Sequence, residues 1–138
     1  MRDWHAFNRG VVEHMRAHGG VGPERWAGRP LLILTTTGAR SGLPRTTPLI
    51  YTRDGDRIVV IASKGGEPAH PDWYHNLVAN PEATVELGAE TFQARAIKAE
   101  GAERQRLYDA QAALMPTFAD YAQKTTREIP VFALERIG

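Results

Sequence analysis

Pro30-Leu-Leu-Ile-Leu-Thr-Thr36, Gly38-Ala-Arg-Ser-Gly-Leu-Pro44, Thr46-Thr-Pro-Leu-Ile-Tyr-Thr52, Asp54-Gly-Asp56 and Arg57-Ile-Val-Val-Ile-Ala62 follow one another in a single stretch that decides the fold. The first segment is apolar and then β-branched, which predicts a buried strand over 30–36. The second is rich in turn residues and carries Arg40. The third returns as a strand over 46–52. The aspartate–glycine–aspartate triplet is a hairpin turn, and 57–62 is a third strand with Ile-Val-Val-Ile at its centre. Three strands joined by short turns make a meander.

Working outward toward the C-terminus, Ser63-Lys64-Gly65-Gly66 breaks the regular pattern. His70-Pro71-Asp72-Trp73 reads as a helix start, with Pro71 near the first turn and Asp72 favourable at its positive end. Trp73, Tyr74, Leu77 and Val78 are its expected packed face, and Asn80-Pro81 stops it. Segments 84–87 and 91–97 predict a hairpin across Gly88-Ala89, with Phe92, Ala94 and Ala96 alternating onto one buried face. A helix is expected over 103–114, with Leu107, Ala110 and Leu114 in register. Pro116 restarts a short helix through Phe118 and Tyr121, and 131–137 is a final strand. Toward the N-terminus, 3–18 is an amphipathic helix showing Trp4, Phe7, Val11 and Met15 on one face, ended by Gly19-Gly20-Val21-Gly22-Pro23. About six strands and three or four helices without βαβ alternation predict an α+β fold built on an antiparallel barrel. At 138 residues the expectation is one domain, 1–138, with the helix at 1–20 and the barrel over 29–138.

Bulk chemistry narrows the function. The absence of cysteine excludes disulfides, thiolate catalysis, iron–sulfur clusters and cysteine zinc sites. A net charge of +1 argues against a polybasic nucleic-acid binder, although a small barrel gripping single strands through Arg and aromatics is a rival to test. Arg2, Asp3, Arg9 and Glu13 interrupt any signal-peptide core, and no apolar run is long enough to span a bilayer, so the cytosol is the expected location.

Local chemistry is concentrated between Leu31 and Arg53, which holds Arg40, Arg45 and Arg53 and no acidic residue. Gly38 and Gly42 permit positive φ and close backbone approach. Loop N–H groups and arginine forks together suit phosphate and carboxylate oxygens. Lys64, on the second glycine break, could converge with Arg40 and Arg45 on one multiply charged ligand; a solvated surface loop is the plain alternative. The loop is neither a phosphate loop nor a dinucleotide fingerprint. Its Ser41 is misplaced by one for a nucleophile elbow. His14 and His18 lie one turn apart but lack a third ligand, so no metal site is expected. Ser63 and His70 lack an orienting acid. Tyr121 could face a pocket or simply pack, and Trp73 could be core or a wall for a cofactor ring.

Leu32 to Leu49, Ala62-Ser63-Lys64-Gly65-Gly66, His70-Pro71-Asp72-Trp73-Tyr74-His75-Asn76-Leu77, Phe118-Ala119-Asp120-Tyr121 and Arg127-Glu128-Ile129-Pro130-Val131 are together similar to the deazaflavin-dependent nitroreductases of actinobacteria. The resemblance runs from about Phe7 to the end of the chain. It implies a split β-barrel of the FMN-binding, pyridoxamine-oxidase-like kind that binds coenzyme F420, an 8-hydroxy-5-deazaflavin with a phosphate, a lactyl group and a glutamate tail. It implies hydride transfer from that coenzyme to a small organic acceptor such as a quinone, an enone or a nitroaromatic. Carried over by position, Arg40, Ser41, Arg45, Lys64 and Gly65 would hold phosphate and tail carboxylates, with Ser63 supporting that loop. Pro48 and Trp73 would border the ring, and Tyr121 would serve the reaction at a pocket shared with Phe118 and Met115. Where the best-known type of member has tyrosines, this chain has Phe118 and Met115, and an aromatic following Pro-Leu is Ile50. The implied pocket is therefore more apolar, which favours quinone reduction over nitroimidazole reduction. Rival readings are a coenzyme carrier without turnover and an FMN-binding reductase of the same fold. The N-terminal helix could pack on the barrel, cap the pocket, or rest peripherally on the inner face of the plasma membrane.

Overall fold

Six strands close into an antiparallel barrel in the order β1-β2-β3-β6-β5-β4. The computed structural model describes residues 4–23, 29–66 and 70–137. The strands are β1 (Leu31–Thr37), β2 (Pro44–Asp54), β3 (Arg57–Ile61), β4 (Glu82–Leu87), β5 (Glu90–Lys98) and β6 (Val131–Arg136). Helix α1 (Trp4–Ala17) precedes them, α2 (Asp72–Ala79) joins β3 to β4, and α3 (Gly101–Leu114) and α4 (Thr117–Lys124) join β5 to β6. A single 3-10 turn, Lys64–Gly66, follows β3. All six strands fall where the apolar runs and turn residues place them.

The barrel interior takes alternate residues from every strand. Leu32 and Leu34 of β1, Ile58 and Val60 of β3, Val85 of β4, Phe92 and Ala94 of β5, and Phe132 and Leu134 of β6 pack together, with Leu49 and Tyr51 of β2 at the margin. Burial of each large side chain contributes on the order of 1.5–3 kcal/mol. The outer faces of β1 and β3 are covered too, which is why both strands read as unbroken apolar runs. Helix α1 lays Val11, Val12 and Met15 on Leu31 and Ile33. Leu107 and Tyr108 of α3 and Phe118 of α4 cover Val59, Ile61 and Val131. Ile50 of β2 touches both outer clusters, so it lies between α1 and the α3–α4 pair.

Strand polarity fixes what shares an end. The end of β1, the start of β2, the end of β3 and the start of β6 lie at one mouth, here called the top, because each neighbouring pair is antiparallel. Helix α2 closes that mouth by inserting Trp73 and Leu77 into the interior cluster.

Helix faces differ from the sequence reading in three places. Phe7 is 38% exposed and Val12 takes its place against the barrel; the Trp4 side chain lies outside the described residues. Val78 is 59% exposed while Asn76 is buried, because α2 turns an amide toward the β1 end. Leu114 is 72% exposed and Ala110 is also outside. Helix α3 is rotated to bury Tyr108 and Gln111 beside Leu107. Tyr108 donates its hydroxyl to the Phe118 carbonyl, and Gln111 Oε1 accepts from Thr52 Oγ1 at 3.1 Å.

Candidate active site

The basic loop between β1 and β2 is a closed turn at the top mouth. The Gly38 N–H donates to the Leu43 carbonyl at 2.8 Å, and the Gly42 N–H to the Gly38 carbonyl at 2.9 Å. Gly42 has φ +72, in the left-handed region that favours glycine. Ser41 turns its hydroxyl inward, where Oγ accepts from the Leu43 N–H at 3.1 Å and from Arg45 Nη2 at 3.4 Å. A Cβ at Gly38 would stand 2.6 Å from that oxygen, so Gly38 lets the serine lock the turn. Arg40 and Arg45 are exposed, and among the described residues neither is paired with a carboxylate.

Helix α2 anchors this loop through Asn76. Its Oδ1 accepts from the Ala39 N–H at 2.9 Å, and its Nδ2 donates to Thr36 Oγ1 at 3.0 Å. Both partners lie close to 40 residues away in the chain, at separations of 37 and 40. The family resemblance includes Asn76 and implies no role for it. Its signal in the sequence is an amide beside Leu77, on the face that carries Trp73.

The second cationic turn follows β3. Ala62 donates its N–H to the Pro130 carbonyl, and Gly66 donates to the Ser63 carbonyl, both at 2.9 Å. Lys64 adopts φ +48, and the Ser63 side chain is buried. Gly66, at φ +81, presses on α4: a Cβ there would lie 2.9 Å from Lys124 Cβ and 3.0 Å from the Tyr121 carbonyl oxygen. Arg127 holds the turn from behind, donating Nη2 to the Ser63 carbonyl at 2.7 Å and Nη1 to the Ala62 carbonyl at 3.2 Å. Its Nη1 also meets His70 Nδ1 at 3.0 Å. Burial lowers the His70 pKa, and the Arg127 charge lowers it further. That proton is therefore disfavoured, and His70 accepts from Arg127 as a neutral ring. This geometry removes the Ser63–His70 hydrolase pair, because the histidine faces a guanidinium.

Beside this turn lies an apolar cluster that carries the half-exposed Tyr121 phenol. Phe118 is buried, while Met115, Tyr121 and Ile50 pack against it half-exposed. The Phe118 and Tyr121 rings meet edge to face at 5.3 Å, and Lys124 Nζ stands 5.8 Å from the Tyr121 ring centroid. Pro48 is half-buried and opposite Ile33, on the same outer side of β2 as Ile50. Trp73 is only 8% exposed, with its ring 6.0 Å from Phe132 inside the barrel. The structure thus groups Arg40, Ser41 and Arg45 on one turn and Ser63, Lys64 and Gly65 on another. Met115, Phe118 and Tyr121 form one cluster, and Trp73 belongs to the interior.

Two clefts open at the opposite end of the barrel. One, of about 120 Å³, lies between Met15, Gly20 and Glu86; the other, of about 530 Å³, runs along Tyr51, Arg53 and Leu87. Neither includes a residue of the two cationic turns. The two cationic turns at one mouth, rather than enclosed volume, mark the top as the candidate site. His14 and His18 stack ring on ring at 4.0 Å, with His18 Nδ1 2.8 Å from the His14 carbonyl. Among the described residues no helix is long and apolar enough to cross a membrane.

Residues 7–136 match the family F420H(2)-dependent quinone reductase. An F420H(2)-dependent quinone reductase of Mycobacterium tuberculosis is 38% identical over 122 residues, which cover 86% of this chain and 82% of that protein. The solved structure of an F420-H2 dependent reductase is 41% identical, covers 78% of this chain and 95% of its own, and superposes with a TM-score of 0.71. A Listeria innocua protein assigned as a pyridoxamine 5'-phosphate oxidase is 12% identical, covers 79% of this chain and 85% of its own, and superposes with a TM-score of 0.56. That last likeness concerns the fold alone and matches the split-barrel expectation.

Proposed function

This chain belongs to the F420H(2)-dependent quinone reductase family, and we propose that its two cationic turns hold the coenzyme's anionic tail while the α4 cluster receives a small quinone. Arg40 and Arg45 offer forks to phosphate or carboxylate oxygens, and Ser41 keeps Arg45 against its loop. Lys64 adds a point charge, and the backbone of Ser63 and Gly65 shapes its turn. Pro48, half-buried on β2, and the small exposed edge of Trp73 would border the deazaflavin ring. Bound there, the reduced deazaflavin supplies a hydride.

What the protein contributes is placement and one polar group. Met115, Phe118 and Ile50 exclude water and present an apolar face to a flat acceptor. Tyr121 would offer its phenol to the acceptor oxygen, where it could donate a hydrogen bond or proton as negative charge develops. A pocket with few hydroxyls suits a quinone better than an acceptor that needs several polar contacts. The observation that carries this reading is the close approach of Gly66 to α4, where an added Cβ would lie 3.0 Å from the Tyr121 carbonyl oxygen, so the proposed tail-binding turn and acceptor helix lie against each other. The residues fit an anionic tail: Arg40 and Arg45 are exposed cations in a segment without a carboxylate.

Paired variants test the assignment. Arg45→Ala is expected to weaken coenzyme affinity about tenfold, as loss of one charge-assisted contact does. Tyr121→Phe should leave that affinity intact and lower turnover about tenfold to a hundredfold. Wild-type affinity in the first variant, or wild-type turnover in the second, removes that residue from its role. Titration with FMN alongside F420 separates the flavin alternative. For α1, Val11, Val12 and Met15 lie on the barrel, so among the described apolar side chains a peripheral membrane contact would rest on Phe7. Liposome flotation without association ends that version.

A further inference from the structure

We infer that Arg127 is a positioning residue for the coenzyme site: its guanidinium clamps the carbonyls of Ala62 and Ser63 and so holds the Lys64 turn in its cation-presenting shape, with His70 as the third acceptor. The inference rests on the proposed placement of the coenzyme tail at Lys64.

Lys64 is the reason a clamp is needed. It is a non-glycine residue at φ +48, a conformation that L side chains rarely adopt. Such a residue persists only where its surroundings over-determine it. Around this turn they do. Arg127 Nη2 donates to the Ser63 carbonyl at 2.7 Å, and Nη1 to the Ala62 carbonyl at 3.2 Å. These are the two peptide oxygens immediately before Lys64. The Ser63 carbonyl also accepts from Gly66, closing the turn on its other side. The partners are 64 and 65 residues apart in the chain, so the clamp ties the loop leading into β6 to the end of β3.

The third contact makes the clamp sensitive to protonation. His70 Nδ1 can accept from Arg127 only without its own proton, at 3.0 Å from Nη1. The groups that face His70 are Arg127, Tyr74 and His75 of α2, and Lys98 at the end of β5. The charged ones among them are cationic, so an imidazolium there would be repelled and would push the guanidinium off the turn. Tyr108 also acts on Arg127 from the α3 side. A planar fork with five donors can serve three acceptors at once, whereas an ammonium cannot hold this geometry.

The test compares Arg127→Met, Arg127→Lys, Lys64→Ala and the Arg127→Met/Lys64→Ala double variant in the full chain. Coenzyme binding is followed by the fluorescence of F420, and the turn by amide hydrogen exchange at Lys64–Gly66. Arg127→Met is expected to weaken the coenzyme about tenfold and raise its KM, with kcat at saturating coenzyme changed less than about twofold. Exchange across the turn should quicken in that variant without coenzyme present, and Arg127→Lys should not restore it. Adding Arg127→Met to Lys64→Ala should cost little further affinity, since one acts through the other. Wild-type affinity and wild-type exchange in Arg127→Met overturn the inference. Wild-type affinity in Lys64→Ala sinks the coenzyme placement instead, while the exchange rates still decide whether Arg127 holds the turn. Should Arg127→Met fail to fold, the wild-type protein still answers by nitrogen NMR: a protonated His70 Nδ1 at neutral pH contradicts the clamp.

Discussion

Replacing Gly66 with alanine puts the contact between the two halves of the site under direct strain. Two costs are separable at this position. The left-handed φ of +81 penalises any L side chain by roughly 1–2 kcal/mol. The new Cβ would also lie 2.9 Å from Lys124 Cβ and 3.0 Å from the Tyr121 carbonyl oxygen, where ordinary contact begins near 3.4 Å. Neither neighbour is a flexible tip: one is backbone and the other is the first carbon of a helical side chain. Helix α4 must therefore give by a few tenths of an ångström, and overpacking of this kind costs about 1–3 kcal/mol. Gly42→Ala is the internal control, since Gly42 has φ +72 and nothing within 4 Å of a Cβ. It carries the conformational cost alone. Urea unfolding of both variants should place Gly66→Ala about 0.5–1.5 M below Gly42→Ala in midpoint, using a slope of about 2 kcal/mol per M. Because the displaced atom belongs to Tyr121, kcat/KM for a quinone should fall in Gly66→Ala by more than stability explains at saturating coenzyme. Equal midpoints for the two glycine variants would show that α4 does not bear on the turn, and the linkage drawn between tail and acceptor would go with it.

Asn76→Ala removes the acceptor of the Ala39 N–H and leaves the buried Thr36 hydroxyl with only its long bond to the Arg45 carbonyl at 3.4 Å, a loss of about 1–3 kcal/mol in all. It should lower the urea midpoint and weaken the coenzyme together; unchanged coenzyme affinity would mean the basic loop holds its shape unaided. The His70 pKa is lowered by burial first and by the Arg127 charge second, so the fold favours the neutral ring. That contribution is whole above the unfolded value near 6.5 and is lost as pH falls through the lower folded value. Stability measured from pH 7.5 to 5 should therefore decline in the wild type and decline less in His70→Gln; parallel curves would remove His70 as the titrating group.

The strands were readable because their pattern answers to local geometry. Phe92, Ala94 and Ala96 alternate and are buried in alternation. Residues 31–34 of β1 and 58–61 of β3 are apolar without a break because the barrel lies on one side of them and helices lie on the other. The helix faces were harder for a physical reason. A helix on a barrel is oriented by the grooves beneath it, and these are set by strands far away in the chain. Helix α3 shows this: Leu107, Ala110 and Leu114 form a plausible stripe, yet Tyr108 and Gln111 are buried because the Phe118 carbonyl and Thr52 stand beneath them. Helix α2 does the same with Asn76 in place of Val78.

The candidate site divides along the same line. Arg40, Ser41, Arg45 and Lys64 could be picked out because glycine turns with cations and no acids have a chemical meaning of their own. Asn76 and Arg127 could not be assigned roles, since what they bind is backbone: an N–H in one case and two carbonyls in the other. Peptide groups leave no mark in the sequence. Those two residues nevertheless set where the cations stand, and α4 inherits the result. The Tyr108 hydroxyl fixes the carbonyl of Phe118 at the start of α4, and Gly66 bears on the carbonyl of Tyr121 one turn later. An eight-residue helix held at both points has little freedom to move its phenol independently of the turn. Acceptor choice in this chain should therefore follow substitutions at Tyr108 and Gly66, which lie outside the proposed acceptor pocket, as well as those at Met115 and Phe118, which line it.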